Sequence, residues 1–176
     1  MNINKELFYI ILSILLILYI LPIKEQKILN RPIWHNPKKL IDYELDGNGT
    51  NQQLFDIYSF SHISHGILFY HFLNNINIPI VKKNSLLISL ILEISFEIFE
   101  NTPYTINKYR KKKEFENYNG DSIINIIGDI LCTIIGYYLA QKSLKYSFIY
   151  LIISEILLIP LNANLLHLSI GSLILN

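Results

Sequence analysis

Apolar residues in this 176-residue chain come in long runs, and each run ends in a polar stretch that carries lysine. A soluble helix buries one stripe and wets the other, so its apolar residues recur with a period near 3.6 rather than in blocks. Blocks of about 20 apolar residues instead match the hydrocarbon thickness of a bilayer. Hydrophobic residues make up 51% of the chain and charged ones 16%, well under the usual quarter. Five blocks stand out, at residues 7–23, 55–76, 85–101, 121–140 and 146–160. The expected architecture is all-α: one membrane domain over residues 1–176, an integral helical bundle of about five spans. The tail "NANLLHLSIGSLILN" is short for a further span and is expected to be re-entrant or interfacial.

The first block, "LFYIILSILLILYILPI", lacks the small-residue cleavage pattern of a signal peptide and is expected to be an uncleaved anchor. With five alternating spans, one side receives Lys5, Lys82, Lys83, Lys142 and Lys145. The other receives ten basic residues, five in 24–56 and five in 102–120, and the positive-inside rule favours it as cytoplasmic. The single cysteine, Cys132, excludes an intramolecular disulfide. Because the basic residues flank the apolar blocks, nucleic-acid binding is not expected; membrane lipids are.

Against that background the third block poses a problem. "LLISLILEISFEIFE" carries Glu93, Glu97 and Glu100 among Leu, Ile and Phe, and at 100° per residue the three share a narrow arc of one helix face. In the fourth block Asp121, Asn125, Asp129 and Cys132 form a stripe; in the second, His62 and His65 are three apart and preceded by Asp56 and Ser59. Counting from the helix ends nearest the 102–120 loop, His62, Glu97 and Asn125 fall at similar depth. A lone carboxylate at a bilayer's centre costs about 2.5–3.5 kcal/mol even on a lenient scale, so such groups face a bundle interior or a wet cavity.

Three stretches, "NQQLFDIYSFSHISHGILFY", "LEISFEIFENTPYTINKYR" and "YNGDSIINIIGDILCTIIGYYLA", closely resemble a bacterial membrane family catalogued as domain of unknown function 2585, from about Asn51 to Ala140. The pattern D-x5-H, E-x-x-E, G-D-x3-N-x3-D more loosely resembles VanZ-like membrane proteins. The resemblance implies an inner-membrane, multi-pass protein and carries over Asp56, His62, Glu97, Glu100, Asp121, Asn125 and Asp129. His65, Glu93 and Asn101 match the closer family alone. The first polar segment departs from that family: where its members have cysteines, this chain has "RPIWHNPKK".

Three functional readings stay open. In the first, neutral imidazoles and carboxylates from separate helices hold a divalent Zn, Mn or Fe ion, with His62, His65, Glu97 and Asp121 as ligands. Glu100 or Asp129 is then the general base, and Asp56, Glu93, Asn101 and Asn125 complete the pocket. The reaction would be a metal-dependent hydrolysis or transfer on a lipid-linked substrate, whose anionic head group the basic loop attracts. In the second, the acids titrate in a proton-linked carrier. In the third they tie helices together, though interhelical polar contacts average only about 0.6 kcal/mol each.

Overall fold

A carboxylate sets the start of the first long helix. Asp56 Oδ1 accepts from the backbone N–H of Tyr58 at 2.8 Å and of Ser59 at 3.2 Å, and Ser59 Oγ accepts from the Asp56 N–H at 3.1 Å. First-turn N–H groups have no partner within a helix, so this cap fixes where α1, Ser59–Asn75, begins. The chain then extends through Ile76 and Ile78, as a residue ahead of a proline prefers, before Pro79 opens the one-turn α2, Pro79–Lys83. α3, Ser85–Glu100, follows directly. Thr102 caps α4, Pro103–Tyr109, Ser122 caps α5, Ile123–Lys142, and Ser143 caps α6, Leu144–Leu158, each side chain accepting from a backbone N–H three residues on. This computed structural model describes residues 8–9, 12, 33–34, 36–43, 51–111 and 115–161.

α1 and α5 lie against each other most closely, and glycine makes this possible. A Cβ at Gly66 would stand 1.9 Å from the Thr133 carbonyl oxygen, and one at Gly136 would stand 1.9 Å from that of Ile63. Only hydrogen fits at either crossing point. On one side of this contact an apolar core joins Leu86, Leu90 and Ile94 of α3 to Ile126, Ile130 and Tyr137 of α5. The other side is polar.

The all-α expectation agrees with the six α-helices among the described residues, but the five-span membrane bundle does not. Among the described residues one helix, α5 with 20 residues, is long and apolar enough to cross a membrane. α1, α3 and α6 have 17, 16 and 15 residues. α1 is clearly shorter than its block, whereas α3 and α6 match theirs to within a residue in length. The block starting at residue 55 gives up its first turn to the Asp56 cap, and the third block ends at Asn101 because Pro103 starts a new helix. The 7–23 anchor, apart from residues 8, 9 and 12, and the tail from residue 162 lie outside the described residues.

Polarity is distributed unusually. Among the described residues the buried set holds 20 polar or charged side chains against 15 apolar ones. Meanwhile Phe148, Ile152, Ile153, Ile156 and Leu157 of α6, Phe72 of α1 and Ile91 of α3 are each at least half exposed.

Candidate functional site

Three helices deliver the buried acids and imidazoles to one place. α1 presents His62 and His65 one turn apart; α3 presents Glu93 and Glu97, also one turn apart; α5 presents Asp129. The Gly66 and Gly136 contacts draw α1 and α5 together, and Thr133 Oγ1 donates to the His62 carbonyl at 3.0 Å across the same interface. His62 is thereby placed between α3 and α5.

Glu93 holds both imidazoles by the same nitrogen. His62 Nδ1 lies 2.5 Å from Glu93 Oε1, and His65 Nδ1 lies 3.1 Å from Oε2. An ionised carboxylate accepts only, so each Nδ1 carries a proton, and in the neutral tautomer Nε2 then holds the lone pair. His62 Nε2 stands 3.9 Å from Asp129 Oδ2, too far for a hydrogen bond. It is near the roughly 3.4 Å that separates two donor atoms bound about 2.1 Å from one tetrahedral ion. Glu97 adds Oε1 at 3.5 Å from His62 Nδ1, and that oxygen is buried without a hydrogen-bond partner. One donor atom each from His62, Glu97 and Asp129 lies within 4.8 Å of the other two.

A second group adjoins it. Asp121 is clamped at both ends: Asn101 Nδ2 donates to Asp121 Oδ2 at 2.6 Å, and the Asp121 N–H donates to Asn101 Oδ1 at 2.7 Å. Tyr118 donates its hydroxyl to Asp121 Oδ1 at 2.9 Å. Burial first, and then the Asp121 and Glu100 carboxylates, push the Tyr118 phenol well above its ordinary range, so it stays a donor. Gly120, at φ 86°, supplies the left-handed turn between them, and Arg110 Nε braces the loop by donating to the Tyr118 carbonyl at 2.6 Å. Glu97, Glu100 and Asp121 again bring one donor atom each within 4.8 Å.

The two groups border a cavity of about 40 Å³, lined by His62, His65, Glu100, Asp121 and Asp129 on its polar side and by Tyr58, Phe96, Tyr109, Phe115 and Tyr118 on its aromatic side. About 10–15 Å³ suffices for one water, so there is room for more than one small ligand.

The expected ligands His62, His65, Glu97 and Asp121 therefore divide between overlapping groups. His62 and Glu97 meet with Asp129, which had been expected as a base. His65 meets His62 and Glu93, and Asp121 meets Glu97 with Glu100. Asp56, Asn101 and Asn125 stand behind the site: Asn125 Nδ2 donates to the Gln53 carbonyl at 3.0 Å and to Asp56 Oδ2 at 3.2 Å. Sequence reasoning missed Tyr118, which precedes Asp121 by three residues in "YNGD", and Gln53, buried and bonded by Trp34 Nε1 at 2.9 Å. The basic loop is partly committed, since Arg110 serves the fold, and Lys112 and Lys113 lie outside the described residues.

Residues 35–175 match a family described as "Protein of unknown function (DUF2585)". A UPF0314 protein of Sphingopyxis alaskensis is 35% identical over 110 residues, 62% of this chain and 55% of that one. A UPF0314 protein of Rhizobium johnstonii is 36% identical over 107 residues, 60% and 54% of the two chains. The chain thus spans about half the length of the curated relatives it matches. No solved structure matches it.

Proposed function

We propose a function for a chain that belongs to the DUF2585 family, described as proteins of unknown function: a divalent-metal centre at His62, Glu97 and Asp129 that hydrolyses or transfers an anionic ester group of a lipid-linked substrate. The observation that carries this reading is the posture of His62. Its Nδ1 is held by Glu93 at 2.5 Å while its Nε2 faces Asp129 Oδ2 at 3.9 Å. Metal-bound histidines are characteristically held this way, one nitrogen on a carboxylate and the other on the ion. A divalent ion there would supply Lewis acidity and a bound water acidic enough to be deprotonated near neutrality. His65, oriented through Nδ1 by Glu93 and lining the cavity, would accept that proton at Nε2.

The site we assign to a membrane-seated protein. Exposed Phe148, Ile152, Ile153, Ile156 and Leu157 give α6 an outer face that water would penalise and lipid would not. Lys111, just beyond α4 in the loop that leads to α5, would favour an anionic head group.

A purely structural role is favoured for two of the acids' neighbours. Asn101 and Asn125 spend their amides on Asp121, Asp56 and backbone carbonyls, and we assign them to support.

The test is metal analysis of full-length protein purified in detergent without chelators. Close to stoichiometric transition metal is expected in the wild type, with loss in His62→Ala and Glu97→Gln. Hydrolysis of phosphate-bearing lipids is the activity to assay next. Wild-type protein free of metal after loading with Zn²⁺ or Mn²⁺ would overturn the reading.

A further inference from the structure

Resting on that reading, we propose that the pocket binds two divalent ions, the second held by Glu97, Glu100 and Asp121, with the Glu97 carboxylate shared between them. Glu97 is the residue common to the two triads, each of which brings its donor atoms within 4.8 Å. It is 1% exposed, and its Oε1 is buried with no hydrogen-bond partner. A carboxylate serving only as a helix tie would not leave a buried oxygen in that state.

Charge points the same way. Asp56, Glu93, Glu97, Glu100, Asp121 and Asp129 make six carboxylates packed around two imidazoles, and among the described residues no Lys or Arg lines the cavity. An acid-rich lining with no basic side chain in it is one that a divalent cation fits. The second site is also prepared in its supports. Asn101 and Tyr118 fix both oxygens of Asp121 at 2.6 and 2.9 Å, leaving each oxygen a further lone pair. Tyr109 hydrogen-bonds the Glu100 side chain.

Two ions about 3.5–4 Å apart, bridged by one carboxylate, are suited to clamp the oxygens of a phosphoryl group. This narrows the substrate from anionic esters in general to phosphate esters or pyrophosphates, with the aromatic wall of Tyr58, Phe96 and Phe115 against the rest of the molecule.

Loading the full-length, metal-stripped protein with Mn²⁺ alone tests the proposal through two readouts, bound metal after desalting and the electron paramagnetic resonance spectrum. The wild type is expected to retain two Mn²⁺ per chain with a spin-coupled spectrum. Asp121→Asn, which preserves the shape of the side chain, is expected to retain one, with the six-line signal of an isolated ion. One uncoupled Mn²⁺ in the wild type would overturn the second site and leave the first standing. Two uncoupled ions would overturn the shared Glu97, and two coupled ions in Asp121→Asn would overturn the role of Asp121. No bound Mn²⁺ in the wild type would overturn both the pair and the reading it rests on. Because the coupling is read in the wild type, the proposal remains testable if Asp121→Asn does not fold.

Discussion

Asp56 and Glu97 are both buried acids, 3% and 1% exposed, yet the fold treats them in opposite ways. Asp56 accepts from the backbone N–H groups of Asn51, Tyr58 and Ser59 and from Asn125 Nδ2, so both its oxygens are spoken for. Glu97 has an oxygen with no hydrogen bond, and an imidazole and further carboxylates for neighbours. A buried charge costs several kcal/mol unless its surroundings return the lost hydration. At Asp56 the return comes from the protein's own backbone. At Glu97 one buried oxygen receives no such return. The contrast separates an acid that builds the fold from the acid that we propose holds a cation.

Substitutions can break or sharpen that contrast. The largest effect is expected where both regions depend on one contact. Gly66→Leu forces a side chain into the Thr133 carbonyl, at a point where even a Cβ would be 1.9 Å away. It should separate α1 from α5 and abolish the cooperative thermal transition, as followed by circular dichroism. Next comes Asp56→Ala, which removes the side-chain acceptor of the Tyr58 and Ser59 N–H groups at the head of α1 and of the Asn51 N–H and Asn125 amide, and should cost about 3 kcal/mol or more in unfolding free energy. Glu97→Gln should lie at the other extreme in stability: changing an acid whose buried oxygen has no hydrogen-bond partner leaves the melting temperature of the metal-free protein unchanged or raises it. Metal binding should still be lost. Equal destabilisation by Asp56→Ala and Glu97→Gln would erase the distinction.

Much of this is legible in the sequence. Period-3.6 arithmetic put Glu93, Glu97 and Glu100 on one face and His62 beside His65, and counting from helix ends brought His62 level with Glu97. These are properties of single helices, and a single helix is determined locally. What escaped is set between helices. Which acid of the fourth block meets His62 depends on the rotation of α5 about its axis, and that rotation is fixed by Gly66 and Gly136 against backbone carbonyls. Hence Asp129 of α5 stands opposite His62, while Asp121, ahead of the Ser122 cap and held by Asn101 and Tyr118, meets Glu97 and Glu100. The start of α1 escaped for a related reason. A hydropathy block shows where apolar residues lie, not that Asp56 will spend the block's opening residues on a cap. Tyr118 was invisible because its role comes from a loop geometry set by Gly120 and Arg110.

The smallest expected effect is the one that tests how Asp121 is held. Tyr118→Phe removes one hydroxyl donated to a carboxylate and keeps the ring, so the loss should be about 1–2 kcal/mol near neutral pH. Its pH dependence carries more information than its size. Burial and the Asp121 and Glu100 carboxylates raise the folded-state phenol above its unfolded value, which lies near pH 10. A group raised in this way contributes its stability in full below the unfolded value and loses it as pH climbs toward the folded one. Wild-type stability from this source should therefore be flat to about pH 10 and fall beyond it, whereas Tyr118→Phe should lack that alkaline component. Thermal melts of both proteins between about pH 8 and pH 11 decide the matter. Parallel curves would mean that the phenol is not held against ionisation by Asp121, and that the clamp on Asp121 rests on Asn101 alone.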